Sequence, residues 1–293
     1  MSGIMPLRIL TDSTACLPPE LIERHGITVV SLSVSWNGQD RREVEMDLPA
    51  FYRELSAARE LPTSSMPPLG EFERAMTQAV ERGEPVLGVF ISSEMSGTYE
   101  GALRAAELVE AEHPGAEIAM VDSRSNCMQL GMAVLEAARA ADKGADLEQA
   151  AEAARAAIPR SRFLFTPATL DYLHKGGRIG GASALLGSAL RIRPILSVRD
   201  GRTVSVTKVR TQSRAIGQMI DRLRRDAEQA GLEELAAHHI GDEPAGRQLA
   251  ATLSREFGRE VPLYPVGPVI GLHVGPGTVG FVYRTRGVLT DLG

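Results

Sequence analysis

The chain has 293 residues, 43% hydrophobic and 24% charged, with a net charge of −5. These are the proportions of a soluble globular protein of one large domain or two ordinary ones. Two cysteines are too few for a disulfide framework, and no apolar run reaches the roughly 20 residues of a membrane span. The N-terminus lacks the charged-then-apolar pattern of a signal peptide, so a reducing cytoplasm is the expected compartment.

Aromatic residues make up only 4%, which leaves Ala, Leu, Val and Ile to build the core. In chain order, residues 7–10 (LRIL) read as a buried strand and are followed by the hydroxyl-rich turn TDST. Pro18 and Pro19 open a short helix to Arg24. Residues 27–36 (ITVVSLSVSW) alternate apolar and small polar side chains and predict one strand. Asp47 caps a helix to about residue 60, and residues 61–68 (LPTSSMPP) read as a loop. A helix over 69–82, a strand over 86–91, a helix over 98–112 and a strand over 117–121 follow. Residues 126–142 and 146–158 are Ala-rich and strongly helix-forming. This alternation predicts a mostly parallel sheet with helices on both faces, which is a Rossmann-like arrangement.

The pattern changes near Pro159. A strand over 162–166 leads into a Gly-punctuated helical region, LDYLHKGGRIGGASALLGSAL. Residues 195–198 and 203–209 flank Asp200-Gly201, a strong hairpin signal. A basic helix (212–230), a strand (235–240), a helix (243–257) and strands at 261–264 and 278–283 complete the chain. The expected fold is α/β in two domains, 1–160 with a parallel sheet and 161–293 with a mixed one.

Charge is unevenly spread. Between Arg160 and Arg225 stand 14 Lys and Arg against three acids, a local +11 that leaves −16 for the rest. Such a segment is either a solvated surface or a docking face for a phosphate or an acidic partner. The overall acidity and few aromatics argue against a general nucleic-acid binder.

Motifs for catalysis are scarce. Gly275-Pro-Gly277-Thr-Val-Gly280 matches G-x-G-x-x-G, but it precedes a strand with only 13 residues left, so a tight turn is the expected role. There is no P-loop, no G-x-S-x-G elbow, no H-E-x-x-H and no paired C-x-x-C, and hence no nucleotide cofactor or metal is expected. His238 and His239, adjacent in a strand, should point to opposite faces, and Cys127 should be a core-facing helix residue. What recurs is hydroxyls: TDST (11–14), PTSS (62–65) and SSEMSGT (92–98). The first and third lie at carboxyl ends of predicted strands, the edge where open α/β sheets bind ligands. Helix N-termini there suit an anion, and Ser and Thr donate hydrogen bonds without adding charge. Each serine is equally open to being a helix cap.

Seven segments together resemble the DegV family of bacterial fatty-acid-binding proteins: LTDSTACLP (10–18), PTSSMP (62–67), SSEMSGTYEGA (92–102), VDSRSN (121–126), LDYLHKGGRIGG (170–181), RIRPILSVRDG (191–201) and GLHVGPGTVG (271–280). The resemblance implies two α/β domains with a long-chain fatty acid such as palmitate between them. It implies that Ser96, in the S-G-T-Y motif, binds the carboxylate, with Ser65, Gly97 and Thr98 as supporting loop. Ser64 stands where the family usually has threonine, beside Thr63, and Met66 replaces a usual glutamine. Arg178 and His273 match residues placed near the carboxylate. It further implies a non-catalytic subunit of a fatty acid kinase. A separate kinase subunit brings ATP and makes the acyl phosphate that feeds phospholipid synthesis, and the +11 segment offers it a docking face. Residues 183–190 (SALLGSAL) have the small and aliphatic side chains to line an acyl slot. The competing reading is an α/β hydrolase or acyltransferase with Ser96 as nucleophile, for which His273 is the one candidate base.

Overall fold

The computed structural model describes residues 6–186 and 192–290. Strands β1 (Arg8–Asp12) and β2 (Thr28–Val30) flank helix α1 (Pro19–Arg24). They are followed by β3 (Ser33–Trp36), β4 (Gln39–Arg42), α2 (Leu48–Ala57), β5 (Thr63–Ser65) and α3 (Leu69–Val80). Next come β6 (Val86–Phe90), α4 (Thr98–Glu112), β7 (Ile118–Asp122), α5 (Cys127–Asp142) and α6 (Leu147–Ala157). The first large sheet is parallel, as the alternating pattern predicts, and its strand order is β2-β1-β6-β7. Its side chains alternate between two cores. Leu10, Val86 and Phe90 meet α3 and α4, while Ile9, Leu87 and Val89 meet α5 and α6.

The second sheet begins at β8 (Ser161–Thr166). Helix α7 (Asp171–Lys175), β9 (Arg193–Arg199), β10 (Arg202–Val209), α8 (Gln212–Ala230) and β11 (Leu232–Ile240) follow. Helix α9 (Glu243–Phe257), β12 (Leu263–Pro265), α10 (Pro268–Val274) and β13 (Thr278–Thr285) complete it. The order is β10-β9-β8-β13-β11-β12, antiparallel except for β11 with β12. The hairpin turn has positive φ at both Asp200 (51°) and Gly201 (80°), as the Asp-Gly signal predicts. Helices α8 and α9 cover one face over Leu164, Phe281 and Tyr283. The other face, with Phe163, Phe165 and Leu196, shares a core with α5. Every residue of α5 from Cys127 to Leu135 is buried, because the helix is wedged between the two sheets.

Three expectations are corrected. Residues 27–36 are not one strand. The chain leaves the parallel sheet at Ser31-Leu32, where the Leu32 N–H donates to Ser13 Oγ and its carbonyl accepts from Glu43 N. Residues 61–68 are not wholly a loop: β5 pairs antiparallel with β3, Ser64 opposite Val34, in a small sheet β4-β3-β5. The region 268–274, given no element by its sequence, is α10. Gly275 and Gly277 form a tight positive-φ turn into β13 (95° and 79°), as expected.

Candidate binding site

The loop 91–97 leaves β6 and is fixed from both sheets. Asp12, fully buried, accepts from the Ile91 N–H at 2.8 Å and from the Thr14 N–H at 2.9 Å. The TDST turn therefore anchors the loop and does not line the cavity described below. Burial raises the Asp12 carboxyl above the usual carboxylate range, and these hydrogen bonds pull it back. From the other side, Ser92 Oγ donates to the Gly201 carbonyl at 2.9 Å and Arg124 donates to the Asp200 carbonyl at 2.5 Å. Arg202 pairs with Glu94. A side chain at residue 201 would stand 2.4 Å from Ser92 Oγ, so only glycine fits this clasp. Within the loop, Ser93 donates to Asp122 at 2.7 Å.

Ser96 answers both readings of the serine cluster. Its Oγ lies 2.8 Å from Thr98 Oγ1 and accepts from the Thr98 N–H at 3.3 Å, which helps start α4. It also lines a cavity beneath the loop. Ser64 meets it from β5. Alternation along that strand turns Ser64 inward and leaves Thr63 and Ser65 more exposed. Ser64 Oγ sits 2.8 Å from His273 Nε2. Arg178 spans the mouth, donating to the Met95 carbonyl at 3.2 Å and the Gly176 carbonyl at 2.7 Å.

His273 is carried by α10, whose entry is held by distant residues. The Glu43 carboxylate accepts from the Val269 N–H at 2.8 Å and from Ser13 Oγ at 2.5 Å. The Tyr52 hydroxyl reaches the Val266 and Gly267 carbonyls at 2.6 and 2.9 Å. Burial pushes Glu43 up to about 7. Burial, and then the nearby Arg178 cation, push His273 down to about 4, so its ring is neutral at ordinary pH. Its Nδ1 is buried without a hydrogen-bond partner.

The cavity runs inward between α5, α10 and the inner face of the second sheet. Its walls are mostly apolar, among them Leu32, Phe163, Phe165, Val198, Val269 and Ile270. Ser64, Arg178 and His273 also line an outer cleft with Thr63, Arg59 and Lys175, so they stand where cavity and surface meet. Of the residues expected at the site, Ser64, Ser65, Ser96, Gly97, Arg178 and His273 come together on the cavity. Thr63 opens onto the cleft, and Thr98 is buried behind Ser96. Residues 183–186 do not line the cavity, and residues 187–190 lie outside the described residues.

Two residues given no site role by the sequence, Cys127 as core-facing and His238 as an ordinary strand residue, are part of the wall. Cys127 opens α5 there, and His238 lies on the inward face of β11. His238 accepts from the Met128 N–H at 3.4 Å, and its other nitrogen contacts the Tyr264 carbonyl at 2.9 Å. Burial drives it down to about 4. His239 borders the cavity too but turns its side chain toward α9, its Cβ close against Gly246, so the two rings diverge as expected. The inward register of His238 within AAHHI is the one signal in the sequence for its place. Nothing local marks Cys127. Among the described residues no group of three or more His, Cys, Asp or Glu could hold a metal ion, and no helix is long and apolar enough to cross a membrane.

Fold and site define an α/β protein of two large sheets and one small one, with a mostly apolar cavity whose mouth presents hydroxyls, a neutral imidazole and a guanidinium. The chain belongs to the DegV family: the family model, described as an uncharacterised protein family, matches residues 6–286. A DegV domain-containing protein of Clostridium acetobutylicum is 44% identical over 282 residues, covering 96% of this chain and 99% of the relative. A solved fatty-acid-binding DegV family protein from Thermus thermophilus superposes with a TM-score of 0.86 at 32% identity, covering 96% of this chain and all of that one. DegV from Bacillus subtilis, solved as a fatty-acid-binding protein, gives 0.86 at 31% identity over 96% and 99% of the two chains.

Proposed function

We propose that this protein binds a long-chain fatty acid such as palmitate between two domains, 1–160 and 161–293. The observation that carries this reading is the cavity itself, mostly apolar within and carrying Ser64, Arg178 and His273 where it meets the outer cleft. Ser96, Ser64 and Arg178 donate to the carboxylate, with His273 holding Ser64 and Thr63 flanking the entrance. The acyl chain lies along the apolar wall, where each buried methylene contributes about 0.8 kcal/mol. Arg178 keeps the carboxylate ionised in a partly desolvated place. The solved relatives named as fatty-acid binders support the ligand class.

In the same reading the protein works in the cytoplasm and does no chemistry itself. It presents the carboxylate at the cleft to a kinase subunit that brings ATP, and the acyl phosphate goes on to phospholipid synthesis. A hydrolase reading gains little from the geometry. The hydroxyl–imidazole pair is Ser64–His273 rather than Ser96, its imidazole is pushed far below the pH of use, and no carboxylate orients Nδ1.

Denaturing mass spectrometry on organic extracts of purified protein tests the proposal. A stoichiometric free fatty acid is expected. Ser96→Ala and Ser64→Ala each remove a hydrogen bond to a charged group and should weaken binding roughly 10-fold or more. Protein that carries no lipid and ignores added palmitate and oleate would overturn the function and leave the fold intact.

A further inference from the structure

The two cysteines of the chain are far apart in sequence, but the segments that carry them pack against each other in the fold. Cys16 ends the short turn that follows β1, and Cys127 opens α5. The first turns of α5 pack directly on residues 15–17: a methyl at Gly131 would come within 2.7 Å of the Ala15 carbonyl oxygen and 3.1 Å of Leu17 Cδ2. Both cysteines have left-handed backbone, φ 52° at Cys16 and 49° at Cys127. Non-glycine residues rarely adopt it, so both are held there by their surroundings. Their exposures differ. Cys127 is fully buried in the cavity wall, whereas Cys16 is half-buried, its thiol donating to the Thr14 carbonyl at 3.5 Å.

Burial, and then the Cys16 thiol beside it, push the Cys127 thiol well above its ordinary range. Cys127 is therefore protonated and shielded, and an oxidant arriving from solvent meets the half-buried Cys16 first.

We propose that Cys16 and Cys127 form a reversible thiol–disulfide site, closed by a peroxide-class oxidant. The Cys16 thiolate attacks one oxygen of hydrogen peroxide; the O–O bond breaks, Cys16 becomes a sulfenic acid, and hydroxide leaves and is protonated to water. The Cys127 sulfur then attacks the sulfenic sulfur; the S–O bond breaks, the S–S bond forms, and the Cys127 proton leaves with the hydroxyl as a second water. Two thiols lose two electrons to one peroxide, and a dithiol reductant restores them. The bond draws the Cys127 sulfur toward residue 16 and off the cavity wall. If the cavity is the acyl slot proposed above, oxidation strips contact from the lipid tail.

The test uses the full-length, reduced, delipidated protein. It is treated with hydrogen peroxide, alkylated, digested without reduction and mapped by mass spectrometry. A Cys16–Cys127 linked peptide pair is expected, reversed by dithiothreitol and absent from Cys16→Ser and Cys127→Ala. Cys16 accumulating as sulfinic acid or as intermolecular dimers, with Cys127 still fully alkylated after denaturation, would overturn the site. Repeating the oxidation with glutathione disulfide on wild type alone gives the same readout should either variant misfold. A fluorescent fatty acid should bind the cross-linked form several-fold more weakly, and equal affinity for both forms would overturn the coupling. Reduced protein that binds no fatty acid at all would overturn the binding function and leave the peptide map to stand by itself.

Discussion

His238 and His273 are both held neutral by burial, at about 4 against an ordinary 6.5. The unfolded rings take up protons below about 6.5 and the folded rings resist until about 4, so stability falls as pH drops through that window. In delipidated protein, His273→Gln should remove part of this acid loss, roughly 2 kcal/mol at pH 4.5, in denaturant titrations at pH 7.5 and 4.5. An unchanged difference between the two pH values would show that the His273 ring is not desolvated. Ser64 and His273 also mark the limit of what residues alone reveal. Each was recognisable as a candidate from its motif, but their 2.8 Å pairing joins β5 to α10 and has no signature in either segment.

At the scale of elements, α10 shows why some structure escapes a reading of the sequence. PVIGLHV is bounded by Gly267 and Gly275, and seven mostly apolar residues are too few for a helical period to show. It is helical because six of its seven residues are buried and its first turn is capped by Glu43, from far away in the chain. The edge strand β4 (QDRR) is fully exposed and lacks any apolar alternation, so only its pairing with β3 defines it. Buried runs such as VLGVF, by contrast, were plain from their apolar side chains alone. Two outcomes follow for α10. Glu43 is raised from 4.5 to about 7, so the fold favours its protonated form, and the stability this gives fades as pH rises from about 4.5 through 7. Glu43→Gln should flatten that part of the stability–pH profile; a profile identical to wild type would mean that Glu43 titrates normally. Gly271→Ala would put a methyl 2.1 Å from the buried Tyr52 hydroxyl. It should cost about 2 kcal/mol, read as a lower thermal midpoint, and reduce fatty-acid retention through His273.

Across the whole molecule, the +11 segment is less free than its charge count suggests. Arg162 is buried against Asp226, Arg160 pairs with Glu136, Arg224 with Glu256, and Arg202 with Glu94. Arg193 donates to the Pro167 and Ala168 carbonyls, and Arg191 lies outside the described residues. Reversing charge at Arg191, Arg193 and Arg202 would therefore disturb the loop clasp together with any docking. Lys208, Arg210 and Arg214 are exposed along β10 and the start of α8. Under the proposed kinase reading, Lys208→Glu with Arg210→Glu should weaken that coupling, read as acyl-phosphate formation, while fatty-acid affinity stays within about two-fold. Undiminished coupling would place the docking face elsewhere.

Helix α5 carries a consequence for how the molecule comes apart. Because it fills the space between both sheets, each half keeps a core of its own but would open the shared one on separation. Calorimetry should show one cooperative transition, and the fragments 1–160 and 161–293 expressed separately should each be aggregation-prone and regain structure only when mixed. Two well-separated transitions would mean the halves fold independently. The halves differ in pattern and in sheet type, yet they share a buried cluster, and it lies at the seam between the two sheets.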